Sequence, residues 1–418
     1  AISSQKKWFP YNKGGAYRKW YGNQEFIINW ENNGYEIKKT KGAVIRNPQF
    51  YFRESISWGL ITSGGSSFRY YPKGFIYDVA GMSLFMTKQI NQLAVIASLN
   101  TKLFSKLIKI INPTINMQCG DIAKSPYLMI SSNYTTANLA EQNISISKID
   151  WNIHETSWDF KKTTLLDTEF NKQESKSLLS NVYKSYCMQW HSLFMQLHRN
   201  EEELNRQFIE IYGLQDELTP SVPLEEITIL QQGEITIKDN EITFNADVIM
   251  KQFISYAVGC WMGRYRLDRP GLQIAHPNPT EEETAPYPYN GEEFTIDDDA
   301  IIPFMSRDCV FDDNAVSRFT DFVRITFGAE TLTENLNFIE ESLGKTLEDY
   351  LVKDFWKDHK KMYQNRPIYW LFSSKKGAFQ CITYMHRMDA YTVEKIRSKY
   401  LLPHIEYLSN RLLEMENR

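Results

Sequence analysis

At 418 residues the chain is long enough for two or three domains and a substantial core. Its formal charge of −4 is that of an ordinary cytoplasmic globular protein, and no run approaches the roughly 18 uninterrupted apolar residues that span a bilayer. The five cysteines are odd in number, far apart and without a C-x-x-C pair, which speaks against a disulfide framework or zinc knuckle and reads as free thiols in a reducing compartment.

The charge is spread unevenly. Residues 1–130 hold 17 Lys and Arg against 6 Asp and Glu, whereas residues 131–418 hold 30 against 45. Such asymmetry points to one module that meets a polyanion and another that does not. The chain begins at Ala1 without a methionine and stops inside the charged helical pattern "EYLSNRLLEMENR", which reads as two cuts in a longer protein.

In chain order, the first ~130 residues are rich in aromatic and β-branched residues, so strands dominate. "EFIINWENNGYEIKK" predicts a hairpin about Asn32-Asn33-Gly34. In "QLAVIASLNTKLFSKLIKII", Leu93, Ile96, Leu99, Leu103, Leu107 and Ile110 recur at helical spacing, and Asn112-Pro113 ends the helix. From Glu174 to Tyr212 apolar residues three and four apart predict one long helix or a bent pair, with Gly213 as its stop. "TPSVPLEEITILQQGEITIKDNEITF" returns to short strands, and Asn245 or Asp247 caps the helix of "VIMKQFISYAVGCWMGRYRLD". The acidic, Pro-rich "HPNPTEEETAPYPYNGEEFTIDDDA" reads as an exposed loop. Helices follow through "SRFTDFVRITFG" and "TLEDYLVKDFWKDHKKMYQ", then a hairpin of "PIYWLFSS" with "AFQCITYMH", and a terminal helix from Thr392. The fold class is α+β: a mixed strand and helix region, long helices, and a smaller mixed α/β region.

Familiar catalytic patterns are missing. There is no Gly-x-Gly, P-loop, H-E-x-x-H or G-x-S-x-G. Asn47-Pro48-Gln49-Phe50 is the nearest approach to the Asn/Asp-Pro-Pro-aromatic loop of adenine methyltransferases, and it lacks the second proline and a preceding cofactor turn. It reads as a turn before a strand. His191 and His198 lie seven apart on the long helix without an evident third ligand, so a packed or surface pair is favoured over a metal. Glu36-Ile37-Lys38 is of nuclease type, but such triplets arise by chance in a chain this charged. The pattern favours binding over catalysis, with no metal.

A duplex reader needs cations and backbone N–H groups for phosphates, and amides, hydroxyls or guanidinium forks for base edges. Lys6, Lys7, Lys13, Arg18 and Lys19 can supply the first, and Gly14-Gly15 allows close backbone approach to a phosphate. Downstream, Arg46, Arg53, Arg69 and Lys73 flank a small-residue loop containing Thr62, Ser63 and Ser66, with Trp58 beside it. Asn112, Asn116 and Gln118 gather amides able to address adenine. The competing reading of each is a solvated basic face over an aromatic core, with polar residues making turns.

Several blocks resemble a known family. "KWFPYNKGGAYRKWYGN", "FYFRESISWGLITSGGSSFRYYPKGFIYDVAG", "LNTKLF…NPTINMQCGDI", "NEEELNRQFIEIYGLQDELTP", "SYAVGCWMGRYRLDRPGL" and "RPIYWLFSSKKGAFQCITYMHR" are similar to the PglX family, the adenine-specific DNA methyltransferases of type 1 BREX phage-resistance systems. The resemblance covers essentially the whole chain, and type IIG restriction-methylation enzymes share the "RPIYWLF" neighbourhood. It implies a C-terminal portion of the enzyme: residues 1–140 a DNA target-recognition domain truncated at its N-terminus, 141–225 a helical spacer, and 226–418 a mixed α/β domain ending in a helix. The family's catalytic domain, with its S-adenosylmethionine site, would precede it, and no position here matches its catalytic residues. The resemblance therefore implies a chain that is non-catalytic alone and binds no cofactor itself, while the parent methyltransferase uses S-adenosylmethionine.

The partners implied are double-stranded DNA, whose target adenine is presented to that catalytic domain, and for the acidic remainder other BREX components. Two other readings stand beside this one. One is a specificity subunit like those of type I restriction systems; the other is a protein-interaction scaffold whose basic face binds an acidic partner, such as a phage protein mimicking DNA.

Overall fold

The computed structural model describes residues 6–61, 65–87, 90–127, 134–172 and 177–417. Helices and small sheets alternate along the chain in an α+β architecture, as the sequence predicts. Two compact units result. The first comprises Ala1–Asn152, His191–Gln231 and Ile237–Ile242, and the second Ile153–Trp190, Gln232–Thr236 and Thr243–Arg418. Among the described residues no helix is long and apolar enough to cross a membrane.

The first unit rests on two three-stranded sheets. In one, β1 (Trp8–Asn12) lies between β2 (Phe26–Asn29), antiparallel to it, and β5 (Ile76–Tyr77), parallel to it. In the other, β3 (Ser55–Gly59) lies between β4 (Arg69–Tyr71) and β6 (Gly81–Leu84), antiparallel to both. Ser55, Ile56, Ser57 and Trp58 are all buried, as a central strand requires. Asn12 links the sheets: its buried amide nitrogen donates to Ser57 Oγ at 2.6 Å and to the Gly81 carbonyl at 3.4 Å. A side chain on Gly81 would put its Cβ 2.5 Å from Asn12 Oδ1, so only glycine allows this approach.

Two predicted elements differ here. The turn at Asn32-Asn33-Gly34 exists, since all three residues have positive φ, but Glu31–Lys39 continues as helical turns rather than a return strand. The partner of β2 is β1, from upstream. A turn signal fixes where the chain reverses and leaves strand pairing to burial of the whole sheet. The predicted single helix before Asn112 divides into Gln92–Leu99 and Lys102–Ile111. The cause is local. The Asn100 side chain pairs with both backbone groups of Phe68, at 2.9 and 3.0 Å, and Thr101 Oγ1 caps the second helix by accepting from Phe104 N at 3.2 Å.

The long helix forms as one element, Leu179–Ile211. Gly213, at φ +67°, ends it, and Leu214 N donates to the Ile209 carbonyl at 3.0 Å. The start predicted at Glu174 lies outside the described residues.

In the second unit, β7 (Ile301–Pro303), β9 (Gln380–Tyr384) and β8 (Tyr369–Ser373) form an antiparallel sheet with β9 central and buried throughout. The helices Ala246–Trp261, Ala315–Phe327 and Leu332–Leu343 carry much of the core. The acidic stretch read as a loop is more ordered than its composition implies. It contains the strands Tyr287–Tyr289 and Glu292–Phe294, paired across Asn290-Gly291, both at positive φ, and it buries Asp297 to 3% exposure.

Candidate nucleic-acid interface

The basic segment at the start of the chain sorts into two groups. Lys7 and Lys13 are exposed at the two ends of β1, with Lys7 over the Trp8 ring at 5.5 Å and Lys13 over Phe26 at 5.7 Å. Lys6 is exposed as well. Arg18 and Lys19 are not available in this way. Arg18 is 6% exposed; its Nη2 meets Asp150 Oδ2 at 2.6 Å and its Nε donates to the Tyr21 carbonyl at 2.7 Å. Lys19 is 5% exposed and places Nζ 2.6 Å from Glu201 Oε2, while Trp20 Nε1 donates to the other oxygen of the same carboxylate at 2.7 Å. Burial alone would depress the Lys19 ammonium, but Glu201 outweighs it and holds the group above its ordinary range.

The glycine pair has a structural cause of its own. Gly14 has φ +75°, and a Cβ there would stand 2.5 Å from the Ala80 carbonyl; its N–H already donates to Asn12 Oδ1 at 3.1 Å. Gly15 has φ +133°, and a Cβ there would stand 2.6 Å from Asn23 Nδ2. Close approach to protein, rather than to phosphate, thus accounts for both.

The downstream candidates divide likewise. Arg46, Arg53 and Lys73 are exposed, and Arg53 lies over the Phe50 and Phe85 rings at 5.4 and 5.7 Å. Arg69 is fully buried. Its Nη1 donates to the Arg18 carbonyl at 2.8 Å and to Ser67 Oγ at 3.2 Å, and burial pushes its pKa down. Trp58 is buried with Nε1 donating to the Met117 carbonyl at 3.0 Å, and Ser66 Oγ lies 2.9 Å from Ser105 Oγ. Thr62 and Ser63 lie outside the described residues.

The structure does unite two segments that are distant in sequence. Ile61 and Asn116 form an antiparallel bridge, and Met117 N donates to the Leu60 carbonyl at 2.9 Å. The amide loop thereby adjoins the end of β3. Within it Asn112 is spent on the loop itself: Nδ2 donates to the Asn116 carbonyl at 2.8 Å and to Asp121 Oδ2 at 2.7 Å. Gln118 N donates to Asp121 Oδ2 at 2.8 Å, and the side chains of Asn116 and Gln118 are exposed.

Exposed cations also share a support. Lys7 and Lys13 flank β1, Lys73 leads into its partner β5, and Phe52, next to Arg53, exchanges backbone bonds with this stretch: Phe52 N to the Phe75 carbonyl at 2.8 Å and Gly74 N to the Phe52 carbonyl at 3.1 Å. Among the described residues Lys7, Lys13, Arg46, Arg53 and Lys73 make no ion pair.

Sequence reasoning missed Asp150 and Glu201, the carboxylates that occupy Arg18 and Lys19. They lie 132 and 182 positions downstream, and no local pattern points to them. Among the described residues the cluster with ligand spacing is Asp297, Asp298 and Asp299, whose carboxylates face Arg318, Lys399 and Tyr400 instead. His198 Nε2 lies 2.7 Å from the Val222 carbonyl and 3.6 Å from Glu202 Oε1, and His191 is exposed.

No protein-family model matches the chain. It is 40% identical over 418 aligned residues, 95% of its length, to the adenine-specific methyltransferase BrxX of Escherichia coli O9:H4 (strain HS). It is 38% identical over 99% of its length to the adenine-specific methyltransferase PglX of Lacticaseibacillus casei (strain Zhang). The chain spans 34% of the length of each of these curated relatives. Nearly end to end, then, the chain is a homologue of one third of the BrxX and PglX adenine-specific methyltransferases, the family that its sequence blocks resemble.

Proposed function

We propose that the first unit is the duplex-reading part of an adenine-specific DNA methyltransferase of a BREX defence system. It holds DNA by its phosphates and presents one adenine to an S-adenosylmethionine-dependent domain that this chain does not supply. The observation that carries the reading is the set of exposed cations without carboxylate partners on and beside the β2–β1–β5 sheet, Lys7, Lys13, Arg53 and Lys73, in a chain homologous to adenine-specific methyltransferases. Free cations on a rigid sheet meet phosphates without first breaking an internal ion pair, which favours a polyanion as partner. Asn116 and Gln118 are the base-reading candidates, since their amides are exposed and their loop is anchored to β3. Arg18, Lys19 and Arg69 support this surface from within.

The test is a titration of the chain with a mixed-sequence duplex at two salt concentrations, beside a Lys7→Ala/Lys13→Ala/Lys73→Ala variant. The expected result is salt-sensitive binding whose log–log slope falls by about 2.7 in the variant, at about 0.9 per phosphate contact. A slope unchanged in a folded variant would overturn the assignment of these lysines.

A further inference from the structure

The first unit contains a cleft of about 600 Å³, within the usual range for small-molecule sites, that the duplex-reading residues do not use. Aromatic rings form much of its wall. Trp30 and Tyr51 meet edge to face at 5.3 Å, and Phe50 and Phe85 stack at 4.8 Å. Two charged groups line it as well. Asp78 is half-buried; its Oδ2 accepts from Tyr11 OH at 2.6 Å and its Oδ1 from Ala80 N at 3.2 Å, and it has no cation partner among the described residues. Arg46 is exposed and makes no ion pair among the described residues.

Flat rings, a carboxylate with spare lone pairs and a free guanidinium match one ligand chemistry. An apolar peptide or acyl chain would desolvate the lone pairs of Asp78 that Tyr11 and Ala80 leave unpaired, at a cost. We propose that this cleft binds a single nucleotide with an amine-bearing base. The ring lies against the aromatic wall, the exocyclic amine donates to Asp78, and the phosphate pairs with Arg46. Two sources share this chemistry: a free nucleotide, and an unpaired nucleotide within a DNA strand. The inference does not rest on the duplex-binding reading, because a free nucleotide fills the cleft whether or not the chain holds a duplex.

The experiment is calorimetric titration of the chain with dAMP and with dTMP, and with a duplex carrying one unpaired adenine against its fully paired counterpart. The expected result is dAMP binding about tenfold tighter than dTMP, the worth of one hydrogen bond to a charged group. Asp78→Asn, which keeps an oxygen for Tyr11, should abolish that preference, and Arg46→Ala should weaken both nucleotides alike. Preference for the unpaired adenine without dAMP binding would support the site with DNA as its source. The proposal fails if neither dAMP nor the unpaired adenine binds better than its control, or if both variants, folded by circular dichroism, bind as the parent does.

Discussion

The strand-rich part of the first unit and the second unit differ in how they treat their cations. In the second, many surface lysines and arginines face carboxylates, Lys251 with Asp247, Arg324 with Glu292, Lys345 with Asp354, Lys395 with Asp389 and Arg411 with Asp308, while others such as Lys375 and Lys376 stand without an ion pair among the described residues. In the strand-rich part of the first, exposed cations stand without such partners, and the cations that do have partners, Arg18 and Lys19, are buried. The difference teaches that an excess of 17 cations over 6 anions in residues 1–130 is not one undivided binding patch. Part of it holds the unit together, and part is left to solvent or a polyanion.

The sharpest way to break this comparison is to remove a buried cation. Arg18→Ala leaves Asp150, which is fully buried, without its charge partner, and should destabilise the first unit by about 3–5 kcal/mol. A denaturant titration reads this directly, and a loss of duplex affinity without loss of stability would return Arg18 to the phosphate-contacting group.

Next in size is the charge reversal of Lys7, Lys13, Arg53 and Lys73 to Glu. Duplex binding should disappear at moderate salt while the melting temperature stays close to that of the parent. An equally large loss on reversing Lys345, Lys395 and Arg411 would erase the distinction between the units.

A third effect belongs to the second unit and to acid. His359 is 2% exposed, and its Nε2 accepts from Ile368 N at 3.1 Å and Tyr369 N at 3.2 Å, which only the neutral ring can do. Burial, and then the Arg264 cation, lower its pKa from 6.5 to about 3. In that window the unfolded chain binds more protons than the folded one, so stability falls as pH falls. The fall is up to about 1.4 kcal/mol per pH unit, complete near the folded-state value. The stability of His359→Gln should vary less with pH between those limits, measured by chemical denaturation at successive pH values.

Smaller again is Asn116→Ala, expected to change which duplex sequence is preferred by about 1–3 kcal/mol at one base pair, with stability unaltered. A uniform loss across sequences, as expected for Lys73→Ala, would place Asn116 among the phosphate contacts. Last, Lys353→Ala removes an exposed pair with Asp349 and should change neither duplex affinity nor melting temperature measurably.

Much of the fold is legible in local pattern. The 3.6-residue apolar period marks Leu179–Ile211, the β8–β9 pair falls where "PIYWLFSS" and "AFQCITYMH" predict it, and Gly213 and Asn112 end helices by their own backbone chemistry. The misreadings share a cause. Asn100 interrupts a helical period to bond Phe68, and β2 pairs upstream to β1 although a turn follows it, because in each case a partner far along the chain outbids the neighbour. The hairpin inside the acidic stretch was masked by composition, although its Asn290-Gly291 step is a recognised turn signal.

What the sequence by itself determined is the α+β class, the positions of most helices, the charge asymmetry and the family resemblance, since these depend on residue order and short-range periodicity. The tertiary structure alone decided which cations are free. Arg18, Lys19 and Lys13 are alike in type and close in sequence, yet Asp150 and Glu201 bury the first two and leave Lys13 exposed. It also decided that Tyr11, Trp30, Arg46, Tyr51 and Asp78 line one cleft. A charge cannot be read as available until its long-range partner is known, because desolvation and pairing are set by groups that only folding brings near.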